Sequence, residues 1–180
     1  SSCSLWSDHQ STIDQGATMS ITGMNHAVLY VRDSARHRAF YEEVLDFVTV
    51  IETPGQFAFM RAPRSNNHHD IAFFTIGAGA GPSAAGSETV GMYHLAWEVE
   101  TLGDLFEMQQ RLDAAGVIKG SSDHGPNKSL YCKDPDGLEF EVMWLVPADR
   151  WGDEEHEAIV RPLDLAAEAK RFPDMMAVSS

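Results

Sequence analysis

Two histidines and one glutamate have the residue types and the placing of a metal site. His26 is the second residue of the β-prone run 25–31, and His94 is the second residue of a similar run at 93–99, 68 positions later. Glu141 lies in a third β-prone run. Two imidazoles and one carboxylate bind first-row divalent metals and leave coordination positions open for a substrate and an oxidant. The three residues therefore predict an open metal centre.

Strand geometry predicts which face of its strand each of these three side chains occupies. Side chains alternate between the two faces of a strand, so each candidate ligand lies opposite the apolar residues of its own run. The apolar faces are Ala27, Leu29 and Val31, then Leu95, Trp97 and Val99, then Leu138, Phe140, Val142 and Trp144. If helices cover the apolar faces, the ligand faces converge on a concave interior, where a metal would offset the cost of a buried carboxylate.

The elements that must position these residues occur twice along the chain. Each histidine run is followed by a helical pattern and three strand-like runs, at about 47–52, 56–62 and 70–76 and again at about 117–122, 127–133 and 138–145. Ser34 can cap the first helix. Thr101 or Gly103 precedes the second helix, and Gly116 ends it. We predict an α+β fold of two tandem βαβββ modules that form a half-open, barrel-like sheet around a metal site, with the helices outside.

The chain is expected to consist of a leader, one domain and an extension. These parts lie at 1–18, at 19–146 with modules at about 22–76 and 90–146, and at 147–180. The leader is polar and patternless before Met19, which is typical of a disordered or vector-derived segment. The extension contains Pro162, Leu163 and Asp164, which can open a short helix over 165–172. Such a tail is long enough to cover a pocket mouth or to clamp a partner subunit.

Composition and charge exclude several classes of function. The 180-residue chain carries 27 acidic and 13 basic residues, for a formal net charge of −14. This charge repels nucleic-acid phosphates and anionic lipid, so neither is an expected partner. No apolar run approaches the roughly 20 residues of a membrane span. Cys3 and Cys132 are not expected to form a disulfide, which indicates a cytoplasmic location.

The same features resemble the vicinal oxygen chelate superfamily, which includes glyoxalases, bleomycin-resistance proteins and type I extradiol dioxygenases. The resemblance covers about residues 22–146 and rests on the paired modules, the two strand histidines and the stretch 131–141. Its most specific motif is the turn at 134–137, Asp-Pro-Asp-Gly, with Glu141 four positions after the glycine. The resemblance implies that His26, His94 and Glu141 are the metal ligands.

Within this superfamily, the chain is most similar to single-domain catechol 2,3-dioxygenase-like proteins. Glyoxalase-like isomerases carry a fourth ligand at the end of the first module, where the repeat offset of 68 places Phe73, and one residue of drift would place Ala72 or Phe74 there. None of these side chains binds a metal. The tail segment 161–165 also resembles the end of catechol 2,3-dioxygenase-like proteins.

The stretch 122–131 resembles the Asp-His-Gly…Tyr segment of extradiol dioxygenases, and the resemblance implies roles for its residues. Tyr131 would hydrogen-bond a metal-bound catecholate oxygen, and His124 would stabilise bound dioxygen or move protons. His69 and Phe73 are expected to line the substrate pocket. Three other histidines, His9, His37 and His156, are expected to be exposed to solvent.

The resemblance implies an Fe(II)-dependent extradiol ring-cleaving dioxygenase of aromatic catabolism. A small catechol-type aromatic and dioxygen would be its substrates, Mn(II) is the alternative metal, and a homodimer is the expected assembly. Three other functions stay open: a Mn(II)-dependent thiol transferase of the fosfomycin-resistance type, a glyoxalase-like isomerase or lyase, and a metal-free drug-binding resistance protein. The sequence also leaves open whether the two modules pair within one chain or across a dimer.

Overall fold

The computed structural model describes residues 20–86 and 88–179, so the expected leader at 1–18 lies outside the described residues. Its elements are β1 (Ala27–Val31), α1 (Ser34–Leu45), β2 (Val48–Thr53), β3 (Phe57–Arg61), β4 (Ile71–Thr75), β5 (His94–Val99), α2 (Leu102–Ala114), β6 (Ile118–Asp123), β7 (Asn127–Lys133), β8 (Glu139–Leu145) and α3 (Leu165–Arg171). Each half of the chain has the predicted order βαβββ. None of the described helices is both long enough and apolar enough to span a membrane.

The strands form two four-stranded mixed sheets with the same topology. The orders are β1-β4-β3-β2 and β5-β8-β7-β6. In each sheet the first and fourth strands of the module run parallel, and the other neighbours are antiparallel. The predicted α+β class and the two modules are confirmed. Among the described strands the two sheets remain separate and unclosed, so a barrel is not completed within one chain.

The helix ends follow local capping chemistry. Asp33, one residue before the predicted cap, accepts hydrogen bonds from the first turn of α1 through its carboxylate. Thr101 and Asp104 form a reciprocal capping box at the start of α2. Gly116 follows α2 with φ +69°, a left-handed conformation that glycine adopts without steric cost.

Strand register settles which residue of the first module corresponds to Glu141. Ala96, two positions after His94, pairs with Glu141 across β5 and β8. In the first sheet, Val28, two positions after His26, pairs with Ala72 across β1 and β4. The position equivalent to Glu141 is therefore Ala72 and not Phe73. An alanine cannot ligate a metal, so a fourth ligand is missing there, as expected.

The hydrophobic core lies between the two modules, with α1 at its centre. The Tyr41 ring on α1 lies 4.9 Å from the Phe73 ring of its own sheet and 6.4 Å from the Phe140 ring of the other module. Buried side chains from both sheets belong to this single cluster. The opposite face of the first sheet is open, because Val28 and Tyr30 are 51% and 74% exposed. Each sheet thus turns one face towards the shared core and the other face outward.

The acidic turn at 134–137 joins the second module to the first. The Asp134 carboxylate accepts hydrogen bonds from backbone amides of its own turn and lies 3.1 Å from His37 Nε2. The Arg32 backbone amide donates to Asp136 over 2.6 Å. His37 is fully buried, so its expected exposure was wrong, whereas His156 is exposed as expected. His9 lies outside the described residues.

The extension after β8 folds back onto the second module. Phe172 is buried and its ring packs 5.3 Å from the Trp144 ring. Lys128 on β7 is fully buried, and its ammonium lies 2.5 Å from an Asp123 oxygen and 3.3 Å from a Glu168 oxygen of α3. A buried ammonium needs such partners because its desolvation is costly. The extension is therefore attached by both apolar packing and a buried ion pair.

Candidate metal centre

His94 and Glu141 converge on the outward face of the second sheet. His94 begins β5, and Glu141 lies on the adjacent strand β8. The His94 Nε2 atom is 3.1 Å from Glu141 Oε2. Two ligands that each lie about 2.1 Å from one ion, at a right angle, are about 3 Å apart. The spacing of this pair therefore fits two neighbouring ligands of a single divalent metal.

The environment of this pair also suits a cation. The Glu141 side chain is only 7% exposed, although a carboxylate is costly to bury without a partner. His94 Nδ1 is buried and has no hydrogen-bond partner among the described atoms. The donor set is one imidazole and one carboxylate, which is incomplete for a first-row metal. The structure therefore provides two of the three predicted ligands at one place.

His26 lies on the other sheet. It precedes β1, is exposed, and its Nδ1 is 2.8 Å from Asn25 Oδ1. Its ring lies 4.4 Å from the His69 ring. Within the described residues, no group of three or more histidine, cysteine, aspartate or glutamate side chains could hold a metal. One chain therefore does not bring His26 together with His94 and Glu141.

The two predicted pocket residues have different surroundings. His69 is partly buried beside His26 and packs its ring edge against Phe59, 5.0 Å away. Burial lowers the pKa of His69, and the neighbouring histidines lower it further. Phe73 is fully buried under the first sheet, against His37 and Tyr41. The Phe73 ring therefore fills the core on the helix side of the first sheet, and its pocket role stays a prediction.

Tyr131 and His124 lie beside the His94–Glu141 pair. Tyr131 on β7 pairs directly with Glu141, and its ring lies 5.7 Å from the His94 ring. The Tyr131 hydroxyl is 2.7 Å from His124 Nε2. Burial raises the pKa of Tyr131, and the nearby Glu141 charge raises it further, so the hydroxyl keeps its proton at neutral pH. Four of the predicted site residues thus occupy one surface.

Sequence analysis did not identify one further contact of this site. The backbone carbonyl of Ile159, in the extension, lies 2.8 Å from His124 Nδ1. A backbone carbonyl has no signal in a sequence, because every residue carries one. The nearest available signal was the resemblance of the segment 161–165 to the tail of catechol 2,3-dioxygenase-like proteins.

Comparison with known proteins agrees with this fold. The sequence profile of the Glyoxalase/Bleomycin resistance protein/Dioxygenase superfamily matches residues 23–142. The chain belongs to this superfamily. The matched region begins before β1 and ends within β8, and it includes His26, His94 and Glu141.

Two curated relatives within the superfamily are similar in sequence. Biphenyl-2,3-diol 1,2-dioxygenases 2 and 3 of Rhodococcus globerulus are 34% and 33% identical to the chain over 119 residues. Each match covers 66% of this chain and 60% of the relative. The similarity therefore spans less than two thirds of the length of each dioxygenase.

Solved structures of superfamily members have the same architecture. A glyoxylase/bleomycin resistance protein/dioxygenase domain from Frankia sp. EAN1pec has a TM-score of 0.59 at 26% identity, with 72% of this chain and 96% of that chain covered. A fosfomycin resistance protein from Listeria monocytogenes has a TM-score of 0.54 at 22% identity, with 73% and 96% covered. The second likeness shows a shared fold alone.

Proposed function

We propose that this superfamily member is an extradiol dioxygenase that cleaves the ring of a catechol-type aromatic with dioxygen and uses Fe(II). The observation that carries the proposal is the meeting of His94, Glu141, Tyr131 and His124 on one outward sheet face. The similarity to two biphenyl-2,3-diol dioxygenases supports the substrate class. The iron would be held by His94, Glu141 and one further histidine.

We propose that His26 of a second copy supplies this third ligand. Within one chain the core and α1 lie between the two sheets, so the outward faces that carry His26 and His94 do not face each other. The His26 face also exposes Val28 and Tyr30, apolar and aromatic side chains that a partner would cover. A two-fold dimer that pairs the first sheet of each copy with the second sheet of the other completes two equal sites.

Each protein group would have a separate task around a bound diol. A divalent metal with open positions supplies Lewis acidity and redox chemistry to chelated ligands. Tyr131 can hydrogen-bond a substrate oxygen beside Glu141, because the two residues are direct cross-strand neighbours. His124 can take a proton through Tyr131. Glu141 contributes one negative charge, so the site retains positive charge when it holds a divalent ion and favours an anionic diolate.

The structure disfavours the alternative functions. A thiol transferase of the fosfomycin-resistance type would need cationic groups for a phosphonate. The one lysine or arginine of the stretch 122–131 is Lys128, and its ammonium is buried between Asp123 and Glu168. Ala72 occupies the position of the fourth ligand that glyoxalase-like isomerases carry. The buried Glu141 carboxylate, 3.1 Å from His94, favours a bound cation over a metal-free binding protein.

A colour assay tests the proposal. The protein is purified anaerobically, loaded with Fe(II), and mixed with 2,3-dihydroxybiphenyl or 3-methylcatechol in air-saturated buffer. We expect a yellow ring-opened product with wild type and with the control variant His156→Ala, which changes an exposed histidine. His94→Ala is expected to abolish the colour. Absence of product from every catechol, with Fe(II) bound, would overturn the proposed function.

A further inference from the structure

A three-residue segment of the extension lies alongside the candidate acid–base pair. This strap, residues 159–161, forms an antiparallel bridge with the end of β6. The Asp123 amide donates to the Arg161 carbonyl over 2.8 Å, and the Arg161 amide donates back over 3.1 Å. The next residue after Asp123 is His124, whose Nδ1 lies 2.8 Å from the Ile159 carbonyl. The strap is therefore hydrogen-bonded both to the backbone of Asp123 and to the side chain of His124.

The strap contact determines which nitrogen of His124 carries a proton. A carbonyl oxygen only accepts hydrogen bonds, so His124 Nδ1 must donate to Ile159. A neutral imidazole has one N–H, so Nε2 then carries a lone pair and can only accept. The hydroxyl of Tyr131, 2.7 Å from Nε2, must be the donor of that second bond. The hydrogen bonds consequently run in one direction, from Tyr131 to His124 to Ile159.

A charge network around the buried Asp123 carboxylate anchors the strap. Arg161 Nε lies 2.6 Å from one Asp123 oxygen, and Arg161 Nη2 lies 2.7 Å from Glu154. The other Asp123 oxygen accepts from Lys128 at 2.5 Å and from the Gly125 amide at 2.8 Å. Asp123 is 4% exposed, so its carboxylate is shielded from water, whereas the Arg161 side chain is 43% exposed. Arg161 is the one of these partners that belongs to the strap itself.

We propose that the strap is a positioning device that fixes His124 in the Nδ1–H tautomer and so makes the Tyr131 oxygen an acceptor towards the site. A ligand hydroxyl above Glu141 can then donate its proton to Tyr131 Oη while the Tyr131 proton moves to His124 Nε2. The ligand becomes an oxyanion, Tyr131 stays neutral, and His124 becomes an imidazolium that still donates to Ile159. The proton transfer rests on the proposed function, whereas the tautomer does not. Arg161 is thus a positioning residue.

The tautomer can be measured on metal-free protein. Histidine-labelled protein is examined by two-bond ¹H–¹⁵N spectroscopy at a pH where the rings are neutral, with the His124 signals assigned by their loss in His124→Asn. We expect the Nδ1–H pattern in wild type. An Nε2–H pattern in wild type would overturn the proposal, and this measurement needs no strap variant.

Arg161→Met tests the anchoring, since it removes the guanidinium and retains an unbranched side chain. We expect its His124 signals to move towards a mixture of tautomers and Arg161→Lys to restore part of the wild-type pattern. The matched control is Arg150→Met, which breaks an exposed ion pair of the same extension with Asp174. Spectra of Arg161→Met identical to those of wild type would contradict the role of Arg161.

Kinetics separates this inference from the proposed function. In Fe(II)-loaded protein we expect Arg161→Met to lower kcat for the catechol about 10-fold, with a smaller change in KM, because the relay and not the binding site is disturbed. An unchanged kcat, alongside a changed tautomer, would overturn the relay. If no catechol is cleaved by wild type while the Nδ1–H tautomer is observed, the proposed function fails and the positioning by the strap stands.

Discussion

At the scale of single residues, the candidate site separates metal binding from proton handling. Glu141 lies 3.1 Å from His94, as neighbouring ligands would. Tyr131 is the direct cross-strand neighbour of Glu141 but hydrogen-bonds His124 instead. A carboxylate and a phenol that are adjacent in space therefore have different expected functions, and substitutions can distinguish them.

We predict contrasting effects for Glu141→Gln and Tyr131→Phe. Glu141→Gln removes the negative ligand, so bound iron and ring cleavage should both fall at least about 100-fold. Tyr131→Phe leaves the ligands in place, so the iron content should stay at the wild-type level while kcat falls about 100-fold. Metal analysis and steady-state kinetics on both variants provide the check, with Glu155→Gln as a surface control. Loss of iron from Tyr131→Phe would argue against this division of roles.

At the scale of elements, the extension and β6 depend on one buried carboxylate. Burial raises the pKa of Asp123, but hydrogen bonds from Lys128, Arg161 and Gly125 outweigh it, so the pKa lies below its ordinary value of 3.8. A carboxyl whose pKa is lower in the folded state stabilises the fold above its unfolded pKa. That stabilisation is lost as the pH falls through the folded pKa. Attachment of the extension should therefore weaken in acid.

We predict that Asp123→Asn destabilises the protein at pH 7 by about 3 kcal/mol, because it breaks a buried ion pair. Below about pH 4 the difference from wild type should shrink, since the wild-type carboxyl is protonated first in the unfolded chain and, at a lower pH, in the folded protein. Urea unfolding at several pH values measures this, with the exposed Asp153→Asn as the matched charge control. A difference that stays constant from pH 7 to pH 3 would contradict the assigned pKa direction.

At the scale of the whole molecule, the two modules pack through their helix-covered faces and leave the ligand faces outward. The module carrying His26 and the module carrying His94 and Glu141 share one core. The rings of Tyr41 and Phe47, from the first module, lie 6.5 Å and 5.1 Å from Trp97 in the second. This packing separates the predicted ligands within one chain, which is the reason for proposing that a second copy completes the site.

Mixed dimers test the division of the site between two copies. His26→Ala and Glu141→Ala chains with different tags are co-expressed, and the mixed dimer is isolated by sequential affinity steps. One of its two sites would contain both substitutions and the other none, so we expect about half of the wild-type activity from two inactive parents. The control pair, His94→Ala with Glu141→Ala, leaves each site with one substitution and should remain inactive. Equal inactivity of both mixtures would show that the site is not shared in this way.

The sequence by itself determined the local architecture and the faces of the strands. Period-2 alternation placed His94 and Glu141 on the face opposite Trp97 and Phe140, and the structure has them there. The alternation could be predicted because it depends only on the position of a residue within its own strand. The order βαβββ, the capping of α2 by Thr101 and the helix within the extension also follow from short-range patterns. Each of these features depends on residues only a few positions apart.

Tertiary structure alone decided which faces meet. The sequence predicted convergence of His26 with His94 and Glu141, but module packing set them on different outward faces. The burial of Lys128 and the strap contact to His124 likewise join residues 35 to 40 positions apart, Lys128 with Glu168 and His124 with Ile159. Such contacts depend on how whole elements pack. The alternation within a strand is the same whether its polar face meets another part of the same chain or a second copy, so the sequence pattern does not distinguish the two.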